Sequence, residues 1–242
     1  MTAVLLFHRV LLKISGEALM GSKEFGLDVK MVQQLAQDIK EAYSMGIQLA
    51  LVVGGGNIFR GVSGAAQGMD RATSDYMGML ATVMNSLALG NALENEGIDV
   101  RVMSAISMND VAEPYIRSRA IRHLKKNRVV IIAAGTGNPY FTTDTAATLR
   151  ASELACDIIL KGTKVNGVYS EDPLKNKDAE FFEKLSYEDV LIKELRVMDM
   201  AAIALAREEK IPLLVFSIYS QGELARILKG RGTYSLITDK LS

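Results

Sequence analysis

Three stretches of the chain set glycine beside basic or hydroxyl side chains: Lys13-Ile14-Ser15-Gly16, Gly54-Gly55-Gly56-Asn57-Ile58-Phe59-Arg60, and Gly135-Thr136-Gly137-Asn138-Pro139-Tyr140-Phe141-Thr142-Thr143-Asp144. A phosphate ligand needs backbone N–H donors and positive charge, and glycine lets the main chain come close enough to supply the donors. Each stretch alone is a weak signal, because glycine turns follow strands in many proteins. Their recurrence points to phosphate chemistry. Rival chemistries have less to rest on. No G-x-x-x-x-G-K-[ST] occurs, and neither Gly54-Gly55-Gly56 nor Gly135-Thr136-Gly137 completes G-x-G-x-x-G, which argues against a P-loop kinase and a dinucleotide enzyme. There is no H-E-x-x-H and no cysteine pair, and His8 and His123 stand alone, so metal-dependent hydrolysis has no visible support.

The elements that must carry these residues follow from the apolar pattern. Short β-branched runs alternate with longer helical stretches, as in a parallel sheet with helices on its faces. Val10–Ile14 predicts a buried strand. Asp28 then caps a helix with Val32, Leu35, Ala36, Ile39 and Tyr43 on its apolar face, ending at Gly46. Ile47–Val53 predicts a second strand, residues 70–96 a long helix, and Val100–Met103 a third strand closing a right-handed crossover. A helix over Tyr115–Lys126, a strand over Arg128–Ala134, a helix over residues 143–155 and a strand over Asp157–Lys161 follow. The polar, turn-rich segment Gly162–Lys184 marks a change of lobe. Beyond it Ser186 and Asp189 open a helix, Met198–Glu209 forms another, and Pro212–Ile218 is expected to be the last buried strand. Two of the glycine turns stand directly after strands, where open α/β sheets bind their ligands.

A chain of 242 residues with 49% hydrophobic and 23% charged content suits one globular domain or two closely packed lobes. Folding at this length hides roughly 70–75% of the unfolded surface, so no disulfide or structural metal is required. The lone Cys156 cannot form an internal bridge, which fits a reducing compartment and a buried, small-residue role. Twenty-eight basic and 28 acidic residues cancel, so nothing draws the whole molecule to nucleic acid or an anionic membrane. The amino-terminal MTAVLLFHRVLLK is apolar but ends at Lys13, lacks a cleavage site and falls short of the roughly 18 apolar residues of a membrane span. It is read as the first strand of a cytoplasmic protein. The helix over Tyr76–Leu93 carries Met77, Met79, Leu80, Val83, Met84, Leu87 and Leu89, an apolar surface too broad for one stripe, so part of it is expected to face a partner.

Whole motifs go further. LLKISGEAL (Leu11–Leu19), VVGGGNIFRG (Val52–Gly61), DYMGMLATVMN (Asp75–Asn85), AAGTGNPYFTTDTAATLRA (Ala133–Ala151) and VMDMAAIALARE (Val197–Glu208) together make the chain resemble the amino acid kinase superfamily, and within it the bacterial UMP kinases. The resemblance implies an α/β three-layer sandwich around a mostly parallel twisted sheet, the amino acid kinase fold. It implies transfer of the ATP γ-phosphoryl group to UMP, giving UDP for pyrimidine nucleotide biosynthesis, with Mg2+ arriving on ATP and no protein metal site. Residues 1–160 would form an N-terminal lobe for UMP binding and oligomerisation, and residues 161–242 a C-terminal, ATP-binding lobe of one compact unit.

Carried over residue by residue, the resemblance makes Lys13, Arg60 and Asp144 the catalytic set. Lys13 would lie along the transferring phosphates, with Ile14, Ser15, Gly16, Gly56, Arg60, Thr163, Tyr169 and Asp172 on the ATP side. Gly55, Asp75, Thr136, Gly137, Asn138, Pro139, Tyr140, Phe141, Thr142 and Thr143 would hold UMP, Asp75 at the ribose. Asp144 would orient the catalytic lysines, and either Lys161 or Lys164 would supply a second phosphate-side cation. Lys164-Val165-Asn166-Gly167-Val168 departs from the family's K-V-D-G-V, which puts in doubt any role needing a negative charge at Asn166. A homohexamer built from dimers, GTP activation through Gly21–Gly26 and UTP inhibition belong to the same set of implications. The rival readings are a carboxylate kinase of the superfamily, against which the GTGNPYFTTD loop argues, and a nucleotide sensor without turnover, against which the Lys13, Arg60 and Asp144 set argues.

Overall fold

The computed structural model describes residues 7–60 and 68–239; residues 1–6 of the apolar amino terminus and Gly61 of the second glycine motif lie outside the described residues. Strand β1 (Arg9–Ile14) leads through a 3-10 turn at Gly16–Leu19 to helix α1 (Val29–Tyr43), and β2 (Gln48–Val53) is followed by α2 (Arg71–Asn95). Then come β3 (Val100–Ser104), the short β4 (Glu113–Pro114), α3 (Arg117–Lys125), β5 (Val129–Ala133), α4 (Thr143–Glu153) and β6 (Ile158–Thr163). The hairpin of β7 (Val168–Tyr169) and β8 (Phe181–Phe182) precedes β9 (Lys184–Leu185), α5 (Tyr187–Ile192), α6 (Met200–Glu208), β10 (Leu213–Ser217), α7 (Glu223–Leu228) and β11 (Ser235–Ile237).

Helix starts are set by side-chain caps that satisfy otherwise unpaired N–H groups. Asp28 accepts from the Lys30 and Met31 amides to open α1, and Asp70 accepts from Thr73 N at 2.9 Å to open α2. Ser186 and Asp189 form a reciprocal capping box on α5. Gly46, beyond the end of α1, has φ 82°, the left-handed region where a Cβ is disfavoured.

Nine strands form one sheet in the order β4-β3-β5-β2-β1-β6-β10-β11-β9, with only the β10–β11 pairing antiparallel. Successive side chains point to opposite faces. Val10, Leu12 and Ile14 pack with α1, α2 and α7, whereas Leu11 packs with α3, α4 and α6 on the other side. The molecule is thus three layers deep, helix on sheet on helix, and each Val, Leu or Ile so buried contributes about 1.5–3 kcal/mol. The central strands β1 and β6 join both expected lobes in this one sheet.

Several features differ from expectation. β5 lies between β2 and β3, so the third strand in sequence does not sit beside the second. α3 begins at Arg117 because the Tyr115 amide donates to Ser104 O at 2.8 Å and keeps that residue extended along the sheet edge. α6 begins at Met200 because Asp199 caps it, accepting from Ala202 N at 2.9 Å. The turn-rich segment after Gly162 contains the β7–β8 hairpin, braced by an edge-on contact between the Tyr169 and Phe181 rings at 5.2 Å. β10 is not the last strand, since α7 and β11 follow it. Among the described residues no helix is long and apolar enough to cross a membrane.

Candidate active site

Parallel pairing of β1 with β6 places Lys13 directly beside Lys161. Both side chains leave the sheet on the α4 face, and charge of one sign cannot be buried there unpaired. The first turn of α4 supplies the counter-charge. Asp144 Oδ1 lies 2.6 Å from Lys13 Nζ, and Oδ2 accepts from Lys161 Nζ at 2.8 Å. Burial pushes the Asp144 carboxyl up, but the two ammoniums, Lys13 first, outweigh it and bring it down to about 2. Burial also depresses the Lys161 ammonium, with Asp144 opposing the shift. The Val197 carbonyl is a further acceptor for Lys161 Nζ.

Asp199 ties this cluster to the next helix. Its Oδ2 accepts from the hydroxyl of Thr142, the residue that caps α4, and from Thr145 Oγ1 at 2.8 Å, while its Oδ1 caps α6. The start of α4, which carries Thr142, Thr143 and Asp144, is therefore clamped to α6.

The first two glycine stretches press against each other at the carboxyl ends of β1 and β2. A Cβ on Gly16 would fall 2.7 Å from Gly54 O and 2.8 Å from Gly56 N, and one on Gly55 would fall 2.8 Å from Gly78 O in α2. Only a residue without a side chain permits these approaches. Buried Asn57 and Asn85 exchange amide hydrogen bonds of 3.1 and 2.7 Å, and Asn85 Nδ2 also donates to Gly54 O at 2.6 Å, so α2 holds the turn from below. Ile14 closes β1 with its carbonyl accepting from Gly54 N at 2.9 Å, and Ser15 leads into the 3-10 turn. The third stretch joins here, for a Cβ on Gly54 would stand 3.5 Å from Thr143 Oγ1.

Two further cations flank the turns. Arg60 pairs with Glu17 Oε1 and donates from Nε to Gly56 O at 3.4 Å, and Lys164 Nζ lies 2.8 Å from Glu17 Oε2. Lys161 and Lys164 thus have different partners: one shares Asp144 with Lys13, the other shares Glu17 with Arg60.

The loop from Thr136 to Thr143 folds over the amino-terminal part of α2. Asp75 Oδ2 accepts from the Tyr140 amide at 2.8 Å and from Arg71 Nε at 2.9 Å, and the Arg71 guanidinium sits 5.7 Å from the Tyr140 ring centre. Thr136 Oγ1 donates to Asn138 O at 3.1 Å and accepts from Asn138 N at 3.2 Å. Gly137, at φ 81°, and Pro139 bend the loop outward, leaving Tyr140 and Phe141 exposed.

Thr163, Tyr169 and Asp172 lie apart from that loop, around a cavity of about 620 Å3 that Lys161 and Val197 also line. Lys161 therefore connects this cavity to the Asp144 cluster. Thr163 Oγ1 donates to Val165 O at 2.8 Å, and Asp172 Oδ1 accepts from Leu174 N at 3.0 Å. Asn166 is exposed at the tip of the turn between β6 and β7. A second cleft, of about 700 Å3 between Tyr187, Leu191, Arg207 and Asp239, gathers none of these residues.

Glu17, Asn85 and Asp199 escaped notice in the sequence although each lies inside a quoted motif. Their importance is a matter of tertiary contact, and the only local signal was the presence of a polar residue within an apolar run.

Comparison with known proteins gives this geometry its setting. Residues 8–217 match the model of the amino acid kinase family, and the chain belongs to that family. Within it, the chain is 59% identical over 233 residues to the uridylate kinase of Roseobacter denitrificans, covering 96% of each chain. Its fold is similar to the crystal structure of UMP kinase from Bacillus anthracis, with a TM-score of 0.93, 41% identity and 97% of both chains covered. UMP kinase from Ureaplasma parvum is similarly related, with a TM-score of 0.91 and 37% identity over 96% of this chain and 99% of that one.

Proposed function

We propose that the chain is an ATP-dependent UMP kinase, moving the γ-phosphoryl group of ATP to UMP to give UDP in pyrimidine nucleotide biosynthesis. The observation that carries the reading is the Lys13–Asp144–Lys161 cluster, set where the glycine turns and the Thr136–Thr143 loop meet. A phosphoryl group in transit spreads negative charge over its equatorial oxygens, and fixed cations stabilise that charge. Lys13 and Lys161 are the two cations, and Asp144 keeps them side by side, 2.6 and 2.8 Å from its two oxygens. The acceptor is already an ionised phosphate, so no general base is required, and catalysis rests on alignment and charge.

In this reading UMP lies against Gly55, Asp75 and the Thr136–Thr143 loop. Because Asp75 Oδ2 already serves Tyr140 and Arg71, its Oδ1 is the oxygen open to the ribose hydroxyls. ATP occupies the cavity of Thr163, Tyr169 and Asp172, with its phosphates along Ser15, Gly16, Gly56, Lys13 and Arg60. We propose the division into a UMP-binding and oligomerisation segment, residues 1–160, and an ATP-binding segment, residues 161–242, on the ground that the second holds the adenine and ribose side while the ATP phosphates reach back to the glycine turns of the first. Among the described residues no group of three or more His, Cys, Asp or Glu side chains is placed to hold a metal ion. Mg2+ would enter as part of the Mg·ATP substrate, where it offsets phosphate charge.

ADP formation from Mg·ATP, followed with UMP, CMP, AMP, acetylglutamate and aspartate offered separately, tests the reading. Turnover with UMP alone is expected. Activity with a carboxylate would move the chain to another branch of the family, and silence with every acceptor would leave a sensor. The same assay with added GTP or UTP reads the activation and inhibition that belong to this proposal. Its structural support is the tie between the Gly21–Gly26 segment and the glycine turn, where Gly26 N donates to Asn57 O at 2.8 Å and Asn57 Nδ2 to Gly26 O at 2.9 Å.

The assembly we propose is a homohexamer built from dimers, in the cytoplasm. Of the broad apolar set on α2, Met79, Val83 and Leu89 are buried, whereas Met77, Leu80, Met84 and Leu87 are exposed at helical spacing along one stripe. A stripe of this kind is covered by a partner in stable oligomers. Light scattering should give a mass well above the 26.4 kDa of one chain, and a monomer would refute the assembly.

A further inference from the structure

Beneath the Gly135–Thr136 turn lies a buried arginine that the mechanism above does not use. Arg150, in the last turn of α4, is 5% exposed. Its Nη1 donates to Glu153 Oε2 at 2.7 Å, and its guanidinium carbon lies 4.2 Å from the centre of the Tyr115 ring. Tyr115 OH donates to the same Glu153 oxygen at 2.6 Å. The remaining arm, Nη2, reaches the carbonyls of both Gly135 and Thr136 at 3.4 Å. A planar fork stacked on a ring and pinned by a carboxylate has one orientation, and that orientation is aimed at the loop.

The loop needs such a hold. Ala134 and Gly135 have φ of 62° and 58°, and a non-glycine residue in the left-handed region persists only where its surroundings over-determine it. Two anchors are already in place: the Ala134 amide donates to Thr82 Oγ1 at 2.8 Å and the Gly137 amide to Ala134 O at 2.9 Å. The peptide between Gly135 and Thr136 is trans, so a carbonyl turned toward Arg150 turns the Thr136 N–H the opposite way. That N–H has no protein acceptor among the described residues.

We propose that Arg150 is the positioning residue of the acceptor loop: by drawing the Gly135 and Thr136 carbonyls inward it aims the Thr136 N–H at an oxygen of bound UMP. The proposal rests on the UMP kinase reading and deepens it. Arg150 touches no reacting atom, so its effect is confined to the acceptor side. Glu153 and Tyr115 act through it.

Steady-state kinetics of Arg150→Lys, with UMP and Mg·ATP varied in turn, provide the test. Lysine keeps the charge but cannot serve Glu153 and two carbonyls from one stacked plane. The KM for UMP is expected to rise about tenfold, the value of one misdirected hydrogen bond to a charged group, with the KM for ATP within about twofold of wild type. Equal changes in both KM values, a loss confined to kcat, or no change would each overturn the proposal. Should Arg150→Lys fail to fold by circular dichroism, Tyr115→Phe decides: it keeps the ring and removes only the hydroxyl that holds Glu153. A KM for UMP raised about two- to fivefold, with that for ATP unmoved, supports the assignment, and an unchanged KM for UMP overturns it. Wild-type enzyme beside the variants separates the two levels of failure. A wild type inert toward UMP would remove the reading and this proposal with it, whereas normal wild-type turnover with unaltered variants would remove Arg150 alone.

Discussion

Truncation of Lys13 to alanine is expected to lower kcat for UDP formation by at least about a hundredfold, the loss that follows removal of one preorganised donor from a charged transition state. Lys13 comes from the centre of the sheet, paired on one side with Val52 of β2 and on the other with Lys161 of β6, so its main chain is held on both flanks and its ammonium is placed by Asp144 at 2.6 Å. Water cannot replace it with a cation of equal placement. The fold should survive, because Asp144 keeps Lys161 as a partner at 2.8 Å. Stopped assays on a variant shown to be folded by circular dichroism would measure the effect. Near-normal turnover from a folded variant would remove Lys13 from the mechanism.

Asp144→Asn attacks the same cluster from the opposite side and is expected to damage both stability and turnover. Without the carboxylate, Lys13 and Lys161 face each other in a buried site with no shared counter-charge. Breaking a buried ion pair by removing one partner costs about 3–5 kcal/mol, which for a chain of this size corresponds to a fall in Tm of roughly 6–20 °C. The pH dependence gives a sharper signature. The folded-state pKa of Asp144 is depressed to about 2 from an ordinary 3.8, so its stabilisation is complete above about pH 4 and is lost as pH falls through 2. Urea unfolding of wild type and variant should therefore show a stability gap that is constant from pH 7 to about pH 5 and narrows below about pH 4. A gap independent of pH down to about pH 2 would mean that the carboxylate carries no such charge pairing.

Much of the architecture was visible in the amino-acid pattern for reasons of local physics. Val10–Ile14 is short and apolar apart from Lys13, with β-branched residues at both ends, Asp28 and Gly46 punctuate α1, and Ser186 with Asp189 announces α5. These signals act over a few residues. Others act over the whole chain and leave no local mark. The insertion of β5 between β2 and β3 is a pairing choice among similar apolar strands. α7 and β11 are too short for periodicity to distinguish them from loop.

The candidate site divides along the same line. Lys13, Gly54–Gly56 and Gly135–Gly137 stand at strand ends, and parallel strands bring their ends to one edge, so their meeting follows from topology. The sharing of Asp144 between two lysines, the clamp of Asp199 on Thr142, and the stacking of Arg150 on Tyr115 join residues far apart in sequence. No pattern of residue types within one element encodes those contacts.

The pairing of Lys13 with Lys161 across two strands also limits how the gene can change. In a pleated strand each added or lost residue turns every later side chain through to the other face. A single codon inserted upstream within β1 would send Lys13 into the apolar layer beneath α1 and bring Leu12 to the Asp144 side. Apolar positions in these strands can drift among Val, Ile and Leu, since volume is nearly conserved. Their length cannot drift at all, so in this part of the protein the reading frame of the pleat is itself the inherited trait.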